Sequence, residues 1–160
     1  MKSLLPIAEK IAARLKERSE TLAVAESSAG GLISAALVAQ PGASLFYVGG
    51  TVVYTLESRR TLLEIPDEAV KGIRSSTEPY ALLAARAIRE RLGATWGISE
   101  SGASGPTGNR YGDPPGHACI AVSGAVEREL TIETSRDDRV ENMLVFAERA
   151  LGLLAESIGA

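Results

Sequence analysis

Between Ser44 and Arg60 the chain reads SLFYVGGTVVYTLESRR, which brings a serine, a phenol and two basic groups into one short stretch. Ser44 follows the turn signal Pro41-Gly42 and precedes Phe46 to Thr55, a β-branched and aromatic run that predicts a buried strand. Tyr54 and Arg59 follow its far end. A hydroxyl can attack, a phenol can pass a proton and a cation can steady negative charge. Gly49 and Gly50 interrupt the run, which predicts a bulge or a close backbone approach to a ligand. The three groups meet only if the chain bends at that pair or the ligand spans the strand. Each also has a plainer reading, Ser44 as a hydroxyl at the start of a strand and Tyr54 as a core phenol.

Two further stretches combine small residues with hydroxyls. The apolar run Thr21 to Ala25 predicts a strand, Glu26-Ser27-Ser28-Ala29-Gly30-Gly31 a loop, and Leu32 to Ala39 a helix. Free backbone N–H groups and the positive end of a helix dipole then point at that loop, as in anion sites. Gly30 and Gly31 let backbone approach a ligand, while Ser27 and Ser28 serve as ligand hydroxyls or as a helix N-cap. Glu26 orients a ligand hydroxyl or pairs with a backbone amide. Thr95 to Ser99 predicts a second strand, leading into Glu100 to Gly108, where Gly102, Gly105, Thr107 and Gly108 are candidate ligand contacts. Such loops gather at the C-terminal edges of strands in α/β sheets, where ligands bind. This one has no Gly-Lys-Ser/Thr ending and is not a nucleotide P-loop. Asn109, Arg110 and Tyr111 extend it, as contacts to a ring or ribose or as caps of an exposed tip. Arg110 is a candidate phosphate partner, because a guanidinium binds two oxygens at once. Arg74 reads as a surface loop arginine.

These three stretches resemble the C-terminal domain of the CinA family. The residues that carry the resemblance are AESSAGG at 25–31, PGASLFYVGGTVVYTLESRR at 41–60, and SGASGPTG with PPGHACIAV at 101–108 and 114–122. The resemblance spans nearly the whole chain, with the motifs in order. It implies an amidohydrolase that converts the carboxamide of nicotinamide mononucleotide to the carboxylate, releasing ammonia, without metal or cofactor. It implies a homo-oligomer and a small pyridine nucleotide as partner, and it places the family's catalytic Ser, Tyr and Lys on Ser44, Tyr54 and Arg59. Four positions depart from the family pattern. Ser28-Ala29 stands for Cys-Thr, Asp113 for a lysine, and Arg59 for the catalytic lysine. A lysine can lose its proton and act as base; an arginine stays charged. Arg59 therefore suits an oxyanion or phosphate, and the alternative to an enzyme is a CinA-like binding protein that lost its base. His117, the only histidine, has no second metal ligand nearby and reads as structural. Its unperturbed pKa near neutrality makes it the replacement base to test. The resemblance also sets Arg139 on an arginine of the family that faces the pocket.

The totals agree with one domain of ordinary globular composition: 160 residues, 45% hydrophobic, 23% charged. A net charge of -3 makes no electrostatic case for nucleic acid. The lone Cys119 excludes a disulfide framework and, with no apolar run of signal or membrane length, predicts a reducing, cytoplasmic setting. Helices are expected over Ser3 to Arg18, Glu57 to Leu63, Asp67 to Gly72, Glu78 to Arg91 and Asp137 or Asp138 to Ser157. A hairpin is expected from His117 to Val122 and Val126 to Thr134. Strand and helix runs in this order predict a single three-layer α/β/α domain with a mixed sheet, its loops at 26–31, 42–44 and 101–113 converging on one pocket.

Overall fold

The computed structural model describes all residues, Met1–Ala160. Helix α1, Leu5–Arg18, starts with Pro6 in its first turn and buries Ala8, Ile11, Ala12 and Leu15 on one face. Strand β1, Leu22–Glu26, is buried along its whole length, and α2, Leu32–Val38, follows it. Strand β2, Tyr47–Val52, leads to α3, Leu56–Leu62. Thr55 and Ser58 close a capping box at the start of α3. Helix α4 spans Glu78–Arg91, strand β3 Trp96–Ala103, β4 His117–Ser123, β5 Glu127–Glu133, and α5 Arg139–Ile158.

The five strands form one sheet in the order β2-β1-β3-β4-β5. β2, β1 and β3 run parallel; β4 and β5 return antiparallel as a hairpin. One face packs on α1, α2 and α5 around Leu22, Val24, Trp96, Ile98, Phe146 and Leu151. The other packs on α4 and the ends of α3, through Ala23, Ala25, Val53, Leu63, Ala84 and Ile88, with Ala81, Ala85, Cys119 and Ala121 beside them. This is the mixed, three-layer α/β/α sheet that the order of runs predicts.

Two expectations are corrected. Strand β3 does not end at Ser99. Glu100 to Ala103 stay in it because each pairs with β4, from Ile120 back to His117. The run Phe46 to Thr55 forms a shorter edge strand with alternate residues exposed, not a buried one. The second glycine of its pair serves packing. A Cβ on Gly50 would meet Ser34 Oγ of α2 at 2.8 Å, so its absence lets α2 lie close to the strand. The register irregularity falls one residue earlier, where Leu22 pairs with Tyr47 and Ala23 with Gly49.

Candidate functional site

A cavity of about 420 Å³ opens where β1, β2 and β3 end. Ser27 contributes from the loop after β1, and Val53, Tyr54 and Thr55 from the link to α3. Ser75, Ser76 and Tyr80 close it from the start of α4. Ser101 and Gly102 form its floor on β3, and Asn109, Arg110 and Tyr111 its rim. Larger hollows lie beside Gly72 to Pro79 and between Leu63 and Leu92, at about 560 and 700 Å³. Neither joins hydroxyls from several loops. The chain brings together no group of three or more His, Cys, Asp or Glu side chains that could hold a metal.

The loop predicted as an anion site already holds two carboxyl groups of the chain itself. Glu26, fully buried at the end of β1, turns its carboxylate back over the first turn of α2. One oxygen accepts from the amides of Gly31 at 2.9 Å and Ile33 at 3.1 Å. The other accepts from the amide of Ser34 at 3.1 Å and its hydroxyl at 2.6 Å. Glu26 is thus the helix cap, not a ligand contact, because its reach from the strand end satisfies donors that would otherwise be orphaned. Glu100, on the neighbouring strand, accepts from the amides of Ser27 at 3.0 Å and Ala29 at 2.8 Å. Its other oxygen is buried without a partner. Burial, only partly offset by those amides and reinforced by the charge of Glu26, pushes the Glu100 carboxyl up to about 7. Ser28 is also internal, its hydroxyl accepting from the amide of Gly102 at 3.0 Å and tying the two loops together. Ser27 differs: its amide serves Glu100, while its hydroxyl is on the cavity wall and carries none of the chain's hydrogen bonds.

The rest of the wall is phenol and guanidinium. Tyr54 is 60% exposed, and its oxygen accepts from Arg139 at 2.6 Å. Since that oxygen accepts one bond, its own proton is free to be donated into the cavity. Arg139, at the first position of α5, also donates to the carbonyl of Gly105, so Gly105 anchors the arginine. The Tyr111 ring lies between Arg110 and Arg74, with centroid distances of 5.0 and 5.5 Å. Arg110 also donates to its hydroxyl at 2.9 Å. Burial alone would push the Tyr111 phenol up. The bonds from Arg110 and Ser75 and the charges of Arg110 and Arg59 outweigh it and hold the phenol below its ordinary range. Arg74 is spent on Asp113, chelating both carboxylate oxygens at 2.5 and 2.8 Å.

Several predicted residues are elsewhere. Ser44 is exposed in a 3-10 turn, Ala43–Leu45, ahead of β2. Since β2 runs parallel to β1 and β3, Ser44 lies at the opposite edge of the sheet from the cavity, about 20 Å away for a six-residue strand. The loop at 42–44 therefore does not converge with the other two within one chain. Arg59 is only 4% exposed, faces inward from α3 and is ion-paired to Asp67, with its Nε buried and unpartnered. It acts on the cavity through its charge near Tyr80 and Tyr111 rather than by lining it. Gly30 is exposed, and Gly31 gives its amide to Glu26. Thr107 and Gly108 lie on the exposed tip outside the cavity. His117 is 7% exposed, with both ring nitrogens engaged, and does not reach the cavity as a base. Sequence reading missed Ser75, Ser76, Tyr80 and Ser101. The one signal for the first two is the hydroxyl-rich run Ser75-Ser76-Thr77 before α4, a composition that local rules take for a helix N-cap. Thr77 occupies the cap position, but its hydroxyl donates back to the carbonyl of Arg74 at 2.7 Å instead of capping the helix, and its two neighbours line the cavity.

A family model described as the CinA C-terminal domain matches residues 4–158. The chain belongs to this family. A CinA-like protein from Parasynechococcus marenigrum is 37% identical over 133 residues, 83% of this chain and 32% of the relative. Another from Salinibacter ruber is 35% identical, covering 86% of this chain and 33% of the relative. The chain therefore spans about a third of the length of these curated relatives. Among solved structures, the competence damage-inducible protein A of Klebsiella pneumoniae superposes with a TM-score of 0.91 at 26% identity, covering 98% of this chain and 97% of that one. The competence or damage-inducible protein of Enterobacter asburiae superposes at 0.90 with 26% identity, covering 97% and 98%. In this CinA-family chain, AESSAGG supplies the cap Glu26 and the free hydroxyl of Ser27. The third motif supplies the buried Glu100 neighbourhood and the Gly102 floor.

Proposed function

We propose that the protein is a nicotinamide-nucleotide amidohydrolase in which Ser27, rather than Ser44, is the nucleophile. The observation that carries this reading is the unengaged Ser27 hydroxyl in one cavity with Tyr54 and Tyr111, two phenols each bonded to an arginine. Tyr111, whose anion is favoured by its guanidinium neighbours, takes the Ser27 proton as Oγ adds to the carboxamide carbon. The amides of Ser27, Ala29, Gly31 and Gly102 are already used inside the chain. The oxyanion is therefore met by the Tyr54 hydroxyl, polarised by Arg139. Collapse breaks the C–N bond, ammonia leaves with the proton from Tyr111, and water hydrolyses the remaining ester to nicotinate mononucleotide. Arg110, exposed at the rim and bonded only to Tyr111, takes the phosphate.

Ammonia release from nicotinamide mononucleotide tests the reading. Wild type turns over, Ser27→Ala loses on the order of a thousandfold in kcat, and Ser44→Ala stays within about twofold. Turnover undiminished in Ser27→Ala, or abolished in Ser44→Ala, would sink it.

A second reading, a binding protein of the same fold, is favoured by one observation. The residue at the family's catalytic lysine is the permanently charged Arg59, buried and held by Asp67. Nucleotide binding without ammonia release, with turnover appearing in Arg59→Lys, would support that reading instead.

A further inference from the structure

His117 opens β4 beneath the cavity wall and faces an acceptor from each ring nitrogen. Nδ1 lies 2.5 Å from Glu133 Oε1 on β5, and Nε2 lies 2.9 Å from the carbonyl oxygen of Ser76. A neutral imidazole has one N–H, so one nitrogen would then set a lone pair against an oxygen lone pair. Only the imidazolium donates to both. The other groups around the ring are also mainly acidic. Asp113 Oδ2 is 3.8 Å from Nε2, and Arg74, which chelates Asp113, is the one cation nearby. Cys119 Sγ is 3.8 Å from Nε2, and burial keeps it a thiol by pushing it up. Glu78 of α4 accepts from the Thr131 hydroxyl, which in turn contacts Cys119. Burial alone would lower the pKa of His117. The bonds to Glu133 and Ser76 and the charges of Asp113 and Glu133 outweigh burial and raise it.

What the ring holds is unusual. Ser76 is buried and has a φ of +59°, left-handed for a residue with a Cβ. Its amide donates to Ser101 Oγ at 3.2 Å, and its carbonyl accepts from His117 and from Cys119 Sγ at 3.4 Å. Such a conformation persists only where its surroundings hold it. Ser75 and Ser76 both line the cavity.

We propose that charged His117 is a positioning residue that clamps the Ser75–Ser76 wall, so that ligand binding in the cavity tightens when His117 is protonated and weakens when it loses its proton. The inference rests on the amidohydrolase reading only for the identity of the ligand. Its sign follows from the geometry. The clamp is complete below the ordinary histidine pKa and is lost as pH rises through the higher value of the folded chain.

The chain has a single histidine, so one Cε1–H resonance reports its titration without assignment. The full chain and Glu133→Gln, a change at a half-exposed carboxylate that spares the core, are titrated by NMR. The protection factor of the Ser76 amide against hydrogen exchange and the Kd of nicotinamide mononucleotide are followed over the same range. We expect a histidine midpoint above the ordinary value, lowered about tenfold in proton affinity by Glu133→Gln. Ser76 protection should fall about tenfold through each protein's own midpoint, and nucleotide affinity should fall several-fold with it. A midpoint at or below the ordinary histidine value, or Ser76 protection that ignores it, would overturn the proposal. If nucleotide binds at no pH, the amidohydrolase reading fails, and Ser76 protection still decides the role of His117.

Discussion

Glu26 and Glu100 sit on adjacent strands, both fully buried, and face opposite energetics. Glu26 accepts four hydrogen bonds, so its charge is fully solvated by the chain. Glu100 has an unpartnered oxygen and a carboxyl raised from 4.5 to about 7. A raised carboxyl binds its proton more tightly folded than unfolded. Its stability contribution is therefore complete below about 4.5 and lost as pH rises through about 7. Glu100→Gln imitates the protonated form, keeping one acceptor for the amides of Ser27 and Ala29. It should stabilise the fold by up to roughly 3 kcal/mol at pH 8 and by almost nothing at pH 4. Thermal melts at the two pH values check this, and a flat difference would count against it. Glu26→Gln must turn an NH₂ toward two donors and should cost on the order of 2–4 kcal/mol at neutral pH, read from urea midpoints.

At the scale of elements, the start of α5 anchors the cavity from outside it. Asn142 is fully buried, and its amide donates to the carbonyls of Ser104 at 2.8 Å and Arg136 at 2.9 Å. Its oxygen accepts from the Thr134 hydroxyl at 2.6 Å. One side chain thus joins the end of β5, the start of α5 and the loop after β3. Arg139, three residues earlier, joins that loop to Tyr54. Asn142→Ala should cost on the order of 2–3 kcal/mol, because it strands buried carbonyls and a hydroxyl. It should also lower kcat more than it raises KM for the nucleotide, since it loosens the mount of Arg139, which polarises the Tyr54 hydroxyl that meets the oxyanion. A rise in KM with kcat unchanged would confine the effect of Asn142 to binding.

The whole molecule sets where a ligand can bind. β2, β1 and β3 are parallel neighbours, and the chain leaves β1 toward β2 on one side and β3 toward β4 on the other, so the two connections diverge at their C-terminal ends. That switch point opens a crevice, and Ser27, Tyr54 and Ser101 stand around it. Nicotinamide mononucleotide should therefore slow amide exchange together in the segments 53–56, 75–80 and 109–111, and leave 43–45 unchanged. Protection appearing at 43–45 would return Ser44 to the site.

Much of this was legible in the chain alone. Helix α4 has the bounds that Thr77, Pro79 and Gly93 predict, because capping and φ restriction are local. The three motifs name the family because their residue types survive in order along the chain. Glycine-rich loops after apolar runs mark the sheet edge that carries the cavity. Tertiary structure decided the rest. Nothing local says that Ser44 precedes a parallel strand and so lies at the wrong edge, since strand direction is a property of the sheet. Nothing local says that Glu26 and Glu100 fill the amides read as an anion site, because that depends on which carboxylates the packing brings within reach. Ser27 keeps its hydroxyl unengaged, while that of its neighbour Ser28 is taken by the amide of Gly102 on another strand. Hydroxyls are alike in sequence; which one keeps an unused lone pair and a free proton is settled by the hydrogen-bond partners that the fold delivers.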